Sequence, residues 1–174
     1  GFLAGLRRLC DQYGALLYID ETITGFRLGL QGGQGRFGVT ADLSSFAKAM
    51  AGGFANAALV GKRAYMQRFA EGVNHSGTFN SNVIAMAASA AALAELEKDE
   101  GAIYHQIEAN GAFLMDGLRQ IGQRLGLPLH VQGLPTAYHV SFTELPAIRD
   151  YRDYAQHCDK ERYGRFCLAM LERG

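Results

Sequence analysis

Two side chains in this sequence could share one reaction. Asp20 closes the apolar run Leu16-Leu17-Tyr18-Ile19, and Lys48 follows 28 residues later in the stretch Ser44-Ser45-Phe46-Ala47-Lys48-Ala49-Met50. A short continuous apolar run reads as a strand buried on both faces, and open α/β sheets bind ligands at the carboxyl ends of their strands. A carboxylate delivered there, in low dielectric, needs a cationic partner. By itself Asp20 could equally cap a loop or pair with Arg27. Lys48 sits among Phe46, Ala47, Ala49 and Met50. Burial would lower its pKa from about 10.4 and expose a neutral amine able to form a Schiff base. By itself Lys48 also suits a stem that covers apolar surface and keeps its ammonium in water.

Taken together, the two flank a planar cofactor. Pyridoxal 5′-phosphate (PLP) needs a lysine for its aldehyde and an aspartate for its pyridinium nitrogen, which the carboxylate keeps protonated so that the ring accepts carbanion electrons. A third element fits. In His75-Ser76-Gly77-Thr78-Phe79-Asn80, Gly77 and Thr78 bring a flexible backbone and a hydroxyl just ahead of a helix, and helix N-termini hold phosphate.

The elements that must position these groups follow from periodicity. Phe2, Leu3, Leu6 and Leu9 recur at helical spacing, and Gly14 is a C-cap. The order helix, two-residue link, buried strand (15–19) predicts the αβ half of a doubly wound sheet. Residues 42–53 predict a strand ending near Lys48 and then a glycine turn. A further strand is expected at 56–61 and a short helix at 62–71. The alanine-rich stretch 82–97 is a strong helix former, with small residues suited to close packing on a helix or another subunit. The charge-rich step 97–101 marks a domain boundary. Beyond it come a long amphipathic helix at about 102–125, two strands in 127–133 and 136–142, and helix again over 148–173.

Composition removes other classes. The 174 residues are 48% hydrophobic and 20% charged, with 17 basic and 17 acidic side chains. A net charge of zero gives no footprint for nucleic acid or an anionic membrane. No apolar run reaches the roughly 18 residues of a membrane span. Cys10, Cys158 and Cys167, odd in number and without CxxC spacing, read as reduced thiols of a cytoplasmic protein. The chain opens in mid-helix without an initiator Met, which suggests a piece of something larger.

The stretches LLYIDETITGFRLGLQGGQGRFGVTADLSSFAKAMAGG and HSGTFNSNVIAMAA resemble the class III aminotransferases, PLP-dependent enzymes of fold type I. Within them the likeness is to the glutamate-1-semialdehyde aminomutase-like branch. The resemblance implies an α/β fold: residues 1–97 as the C-terminal part of a PLP-binding large domain, mostly parallel sheet with flanking helices, and 98–174 as the beginning of a smaller α+β domain. It implies that Lys48 is the Schiff-base lysine and moves the proton between Cα and C4′, that Asp20 pairs with the pyridine nitrogen, and that Gly77 and Thr78 serve the phosphate of a neighbouring subunit's site in a homodimer. Substrates would be a small-molecule amino donor and a keto or aldehyde acceptor. One departure stands out: Thr22 occupies a position usually held by Val or Ile against the ring face, and its hydroxyl must find a partner. The family's phosphate-cupping turn and ring-stacking aromatic have no counterpart here. The strand at 15–19 would therefore carry an exposed edge, and the chain alone would not catalyse transamination.

Other motifs carry less. Gly33-Gln34-Gly35-Arg36-Phe37-Gly38 satisfies G-x-G-x-x-G but is followed by a loop and a strand, where a dinucleotide fingerprint opens a helix; the resemblance makes it a surface loop. Residues 56–63 lack the first glycine and the hydroxyl of a phosphate loop. The five histidines share no metal-ligand spacing. A competing class is a truncated, non-catalytic PLP-fold fragment serving as a structural or dimerisation module.

Overall fold

The first helix, α1 (Phe2–Tyr13), ends where its glycine predicts: Gly14 adopts φ 66° and donates its N–H to the Cys10 carbonyl. In this computed structural model, which describes all of Gly1–Gly174, the chain forms two compact units, Gly1–Tyr104 and His105–Gly174. Leu3, Ala4, Leu6 and Cys10 of α1 pack on Leu17, Val39 and Ala41, with Ile19 beside them.

Strand β1 (Tyr18–Glu21) begins three residues later than expected. Its side chains alternate with the period of two: Leu17 and Glu21 are buried, whereas Leu16 and Tyr18 are about half exposed, at 50% and 51%. Burial on both faces is therefore corrected to burial on one, because α1 covers only the Leu17 side. Strand β2 (Leu43–Phe46) pairs with β1 in parallel, and β3 (Ala58–Gly61) pairs with β2 antiparallel, giving the order β1-β2-β3. The free edge expected for the first strand is present, since β1 has a neighbour on one side only.

Between β1 and β2 the stretch expected as a loop forms a helix, α2 (Gly32–Phe37), closed by Gly38 at φ 62°. The chain beyond β2 leaves the strand at Phe46, and Lys48–Ala51 make one 3₁₀ turn capped by Gly52. Residues 62–71 split into α3 (Arg63–Met66) and a 3₁₀ turn, Gln67–Ala70. Helix α4 (Val83–Glu97) starts at Asn82, whose side-chain oxygen accepts the Ala85 N–H at 3.0 Å. The charge-rich step is a kink: Asp99 and Glu100 both adopt positive φ.

One buried carboxylate ties the first unit together. Asp42 accepts the Leu17 N–H at 2.7 Å and pairs with Arg7 at 2.8 Å and Lys62 at 2.6 Å. It thereby joins α1, the approach to β1 and the residue after β3. The Lys62 ammonium, the Leu17 amide and the Arg7 guanidinium, in that order of effect, hold its carboxyl well below the usual range.

The second unit contains most of α5 (Ile103–Arg124), an antiparallel hairpin of β4 (Leu129–Leu134) and β5 (Ala137–Phe142), and two terminal helices. The single helix expected over 148–173 is two, α6 (Tyr151–His157) and α7 (Lys160–Leu171). Asp159 divides them: its N–H donates to the Phe142 carbonyl and its side chain caps α7 through the Arg162 N–H.

Candidate active site

Adjacent residues of a strand point to opposite faces, so the acid pair at the end of β1 divides. Glu21 turns inward and is fully buried, with 0% exposure. Its carboxylate accepts the Gly33 N–H at 2.9 Å, the Gln34 N–H at 2.8 Å and the Thr24 hydroxyl. The glycines permit this approach. A Cβ on Gly32, where φ is +60°, would lie 2.8 Å from Glu21 Oε2. The G-x-G-x-x-G look-alike is thus the start of a short helix whose free amides cradle an anion, and that anion is the protein's own glutamate. Gly25 has an equally close neighbour: its Cβ would meet the Phe46 ring at 2.4 Å and the Glu21 carbonyl at 2.7 Å.

Asp20 turns the other way, onto the exposed face. Register places it opposite Ser45, whose hydroxyl donates to Asp20 Oδ1 at 2.7 Å. The Thr22 N–H donates to the same oxygen at 2.9 Å, an Asx turn at the strand end. The Thr22 hydroxyl, the Ser45 hydroxyl and the Thr22 amide, in that order, hold the Asp20 carboxyl at about 2, with the Lys48 charge adding the least. The hydrogen bond that Thr22 makes to Asp20 in the structure is the amide's. Asp20 is therefore ionised at neutral pH, and with about four lone-pair sites on a carboxylate it keeps acceptor capacity.

Lys48 is exposed, which corrects the expected burial: β2 ends two residues before it, and Met50 of the following turn is buried. Its backbone is unusual. Lys48 has φ 47°, a left-handed conformation that costs a non-glycine residue of order 1–3 kcal/mol and clusters at functional sites. Beside Ser45 the sheet face opens into a concavity of about 630 Å³ whose walls include Tyr18, Leu59, Met66, Phe69 and His75.

Gly77 and Thr78 precede α4, four or more residues ahead of its Asn82 cap. Gly77 and Thr78 form an exposed turn closed by the Asn80 N–H on the Gly77 carbonyl, and the N-terminus of α4 is taken by its own Asn82 cap. Thr78 is not at a helix N-terminus. His75 stacks edge-on against Phe69, with centroids 5.3 Å apart. Ser45 escaped the sequence reading; pairing the strand at 20 with the strand before Lys48 would have found it.

A family profile described as aminotransferase class-III matches residues 1–152. The chain belongs to this family. Among curated relatives, glutamate-1-semialdehyde 2,1-aminomutase of Desulfitobacterium hafniense is 42% identical over 100% of this class-III chain, which covers 40% of that protein. Among solved structures, an omega-transaminase from Sphaerobacter thermophilus superposes with TM-score 0.76 at 31% identity, covering 83% of this chain and 33% of the other. A glutamate-1-semialdehyde-aminomutase from Pseudomonas aeruginosa, in complex with PMP, superposes with TM-score 0.69 at 30% identity, covering 82% of this chain and 33% of the other. The class-III chain thus has the α/β fold of these enzymes and spans about 40% of the length of its curated relatives. No helix in it is long and apolar enough to cross a membrane.

Proposed function

We propose that this chain is the portion of a PLP-dependent aminotransferase, or of a glutamate-1-semialdehyde-type aminomutase, that holds the cofactor's ring nitrogen and aldehyde. The observation that carries the reading is Asp20: an ionised carboxylate at a strand end, fixed by the Thr22 N–H and the Ser45 hydroxyl and within electrostatic reach of Lys48, which is exposed and held in a left-handed backbone. The donor set fits both ends of the group, a carboxylate for a pyridinium N–H and a primary amine for an aldehyde.

Bound PLP supplies an electron sink for the carbon that loses a proton. Asp20 holds the proton on the ring nitrogen and orients the ring. Lys48 Nζ would hold the group through its aldehyde and, as a primary amine, would supply the base that moves a proton between Cα and C4′. Thr22, next but one after Asp20, would contact the ring. Gly77 and Thr78 serve the phosphate in the site of a second copy, so that the working unit is a homodimer. The substrates are a small-molecule amino donor and a keto or aldehyde acceptor. The free thiols of Cys10, Cys158 and Cys167 suit the cytoplasm. Residues 1–97 belong to the large domain, and 98–174 begin the small one.

A second reading rests on exposure. Phe79, Val83 and Ile84 are 84%, 80% and 68% exposed, and the Tyr18 side of the sheet is bare. These surfaces favour a chain that needs further protein to close its site and that alone acts only as a structural or dimerisation module.

The test is to add PLP to the purified chain, reduce with borohydride and locate the pyridoxyl group by peptide mass. A single adduct on Lys48, lost in Lys48→Ala, is expected. Adducts scattered over Lys62, Lys98 and Lys160 would remove the cofactor assignment and leave the structural module. Turnover of amines with pyruvate or 2-oxoglutarate is expected to be absent from the chain alone.

A further inference from the structure

Two adjacent serines lie opposite the end of β1, and alternation sends them to opposite faces as it does the acid pair. Register pairs Ser44 with Ile19 and Ser45 with Asp20. Ser44 is buried, and its hydroxyl accepts the Gln34 side-chain N–H at 3.0 Å, which joins it to the residue whose amide serves Glu21. Ser45 belongs to the other face, where its hydroxyl donates to Asp20 Oδ1 at 2.7 Å. The concavity beside it is walled largely by apolar groups, Leu59 on the flanking strand and Met66 and Phe69 beyond. The acceptor for that hydroxyl is Asp20.

The two hydrogen bonds on Asp20 come from different elements and end on the same oxygen. The Thr22 N–H reaches Oδ1 at 2.9 Å from two residues on, and the Ser45 hydroxyl reaches it from the neighbouring strand. A carboxylate oxygen offers about two lone pairs, so Oδ1 is filled and Oδ2 is left for a further donor. The Asx turn is a local contact that moves with the strand end. The bond from Ser45 ties the carboxylate to a residue 25 positions away.

We propose that Ser45 is a positioning residue: by filling Oδ1 together with the Thr22 N–H, it presents Oδ2 of Asp20 to the N–H of a bound ring. The inference rests on the cofactor reading given above. Asp20 is exposed, so without the serine, water competes for Oδ1 and the carboxylate turns among orientations. Either oxygen can then meet the ring N–H, and fixing one of them costs entropy that the serine has already removed. A single net hydrogen bond of this kind changes a ratio by roughly three- to tenfold.

The experiment compares wild type with Ser45→Ala, Ser45→Val and Ser45→Thr. Threonine keeps the hydroxyl, valine has the shape of threonine without it, and both suit a strand better than alanine. Thr22 and Lys48, which also act on the carboxylate, are the same in all four chains. The first readout needs no cofactor: in the full chain, three-bond couplings from Asp20 Cγ to its own backbone N and C′ report χ1. One rotamer is expected in wild type and Ser45→Thr, and averaging in Ser45→Ala and Ser45→Val. The second readout is the ratio of pyridoxyl on Lys48 to pyridoxyl on Lys62, Lys98 and Lys160 after PLP and borohydride. It should fall roughly three- to tenfold in Ser45→Ala and Ser45→Val and hold in Ser45→Thr. Asp20→Asn is the reference and should lower it at least as far.

Ser45→Val with the couplings or the Lys48 ratio of wild type would overturn the inference, as would equal losses in Ser45→Thr and Ser45→Val. The two failures separate. A ratio that falls in Asp20→Asn but holds in Ser45→Val removes the role of Ser45 and keeps the cofactor reading. Adducts scattered over all lysines of the wild-type chain remove both.

Discussion

Replacing Glu21 by Gln exchanges one oxygen for an NH₂ and removes the charge, with almost no change of shape. The carboxylate takes three donors: Gly33 N–H and Thr24 hydroxyl on Oε2, Gln34 N–H on Oε1. An amide can present its oxygen to only one side. With oxygen toward Gly33, the NH₂ faces the Gln34 N–H; in the flipped orientation the Thr24 hydroxyl can turn and accept, but the Gly33 N–H is opposed. Either way one buried N–H is left unpaired, which costs about 1–3 kcal/mol. Loss of negative charge at the first turn of α2 adds about 0.3–1 kcal/mol. Together these cost about 1–4 kcal/mol. With a slope near 2 kcal/mol/M, the urea midpoint of the first unit should fall by roughly 0.7–2 M. Hydrogen exchange at Gly33 and Gln34 should quicken while amides of the β4–β5 hairpin keep their rates. A midpoint within about 0.3 M of wild type, with Gly33 and Gln34 still protected, would refute the account of this glutamate as a buried anion on which α2 depends.

Gly25→Ala should destabilise the first unit by about 1–3 kcal/mol, because its Cβ meets the Phe46 ring at 2.4 Å and the Glu21 carbonyl at 2.7 Å; thermal melts of the full chain measure it. Asp42 gives a pH dependence. Its carboxyl is depressed in the folded chain, so its stabilisation is fully present above the unfolded value of about 3.9 and is lost as pH falls below that toward its folded value. Urea midpoints taken from pH 6 downward should decline below about pH 4, and Asp42→Asn should be less stable at neutral pH with a flatter decline.

Much of the first unit was legible because its signals are local. The Gly14 cap and the alanine-rich helix at 82–97 depend on residues a few positions apart. Strand burial was not local. The run 15–19 reads as doubly buried, but whether Leu16 and Tyr18 are covered depends on what else packs on the sheet, and here only the Leu17 side has a helix. The same holds for Lys48, whose apolar neighbours suggested burial while its own side chain stands outside. Ser45 and the Asp159 division between α6 and α7 depend on pairing across the fold: the first on register with Asp20, the second on the carbonyl of Phe142. The glycine motif at 33–38 was expected as a surface loop and is a helix. Its helix was missed because the partner that fixes its N-terminus, Glu21, lies 12 residues upstream.

That partnership explains why two carboxylates stand side by side at the end of β1. Period-two alternation forces them apart, one to each face, so they cannot act as a pair. Glu21 is held from below by the amides of α2 and by Thr24, and the Glu21 carbonyl in turn accepts the Gly25 N–H at 2.8 Å. These contacts fix the last residue of the strand on both its side chain and its backbone. Asp20, one residue earlier, inherits that position, and its own donors then fix the carboxylate within it. The Asp20 carboxylate is exposed and would otherwise be free to move with a four-residue edge strand; a buried glutamate on the opposite face keeps it in place. Glu21→Gln should accordingly loosen Asp20 as well, seen as a fall in the selectivity of PLP for Lys48 over surface lysines, even under conditions where the chain remains folded.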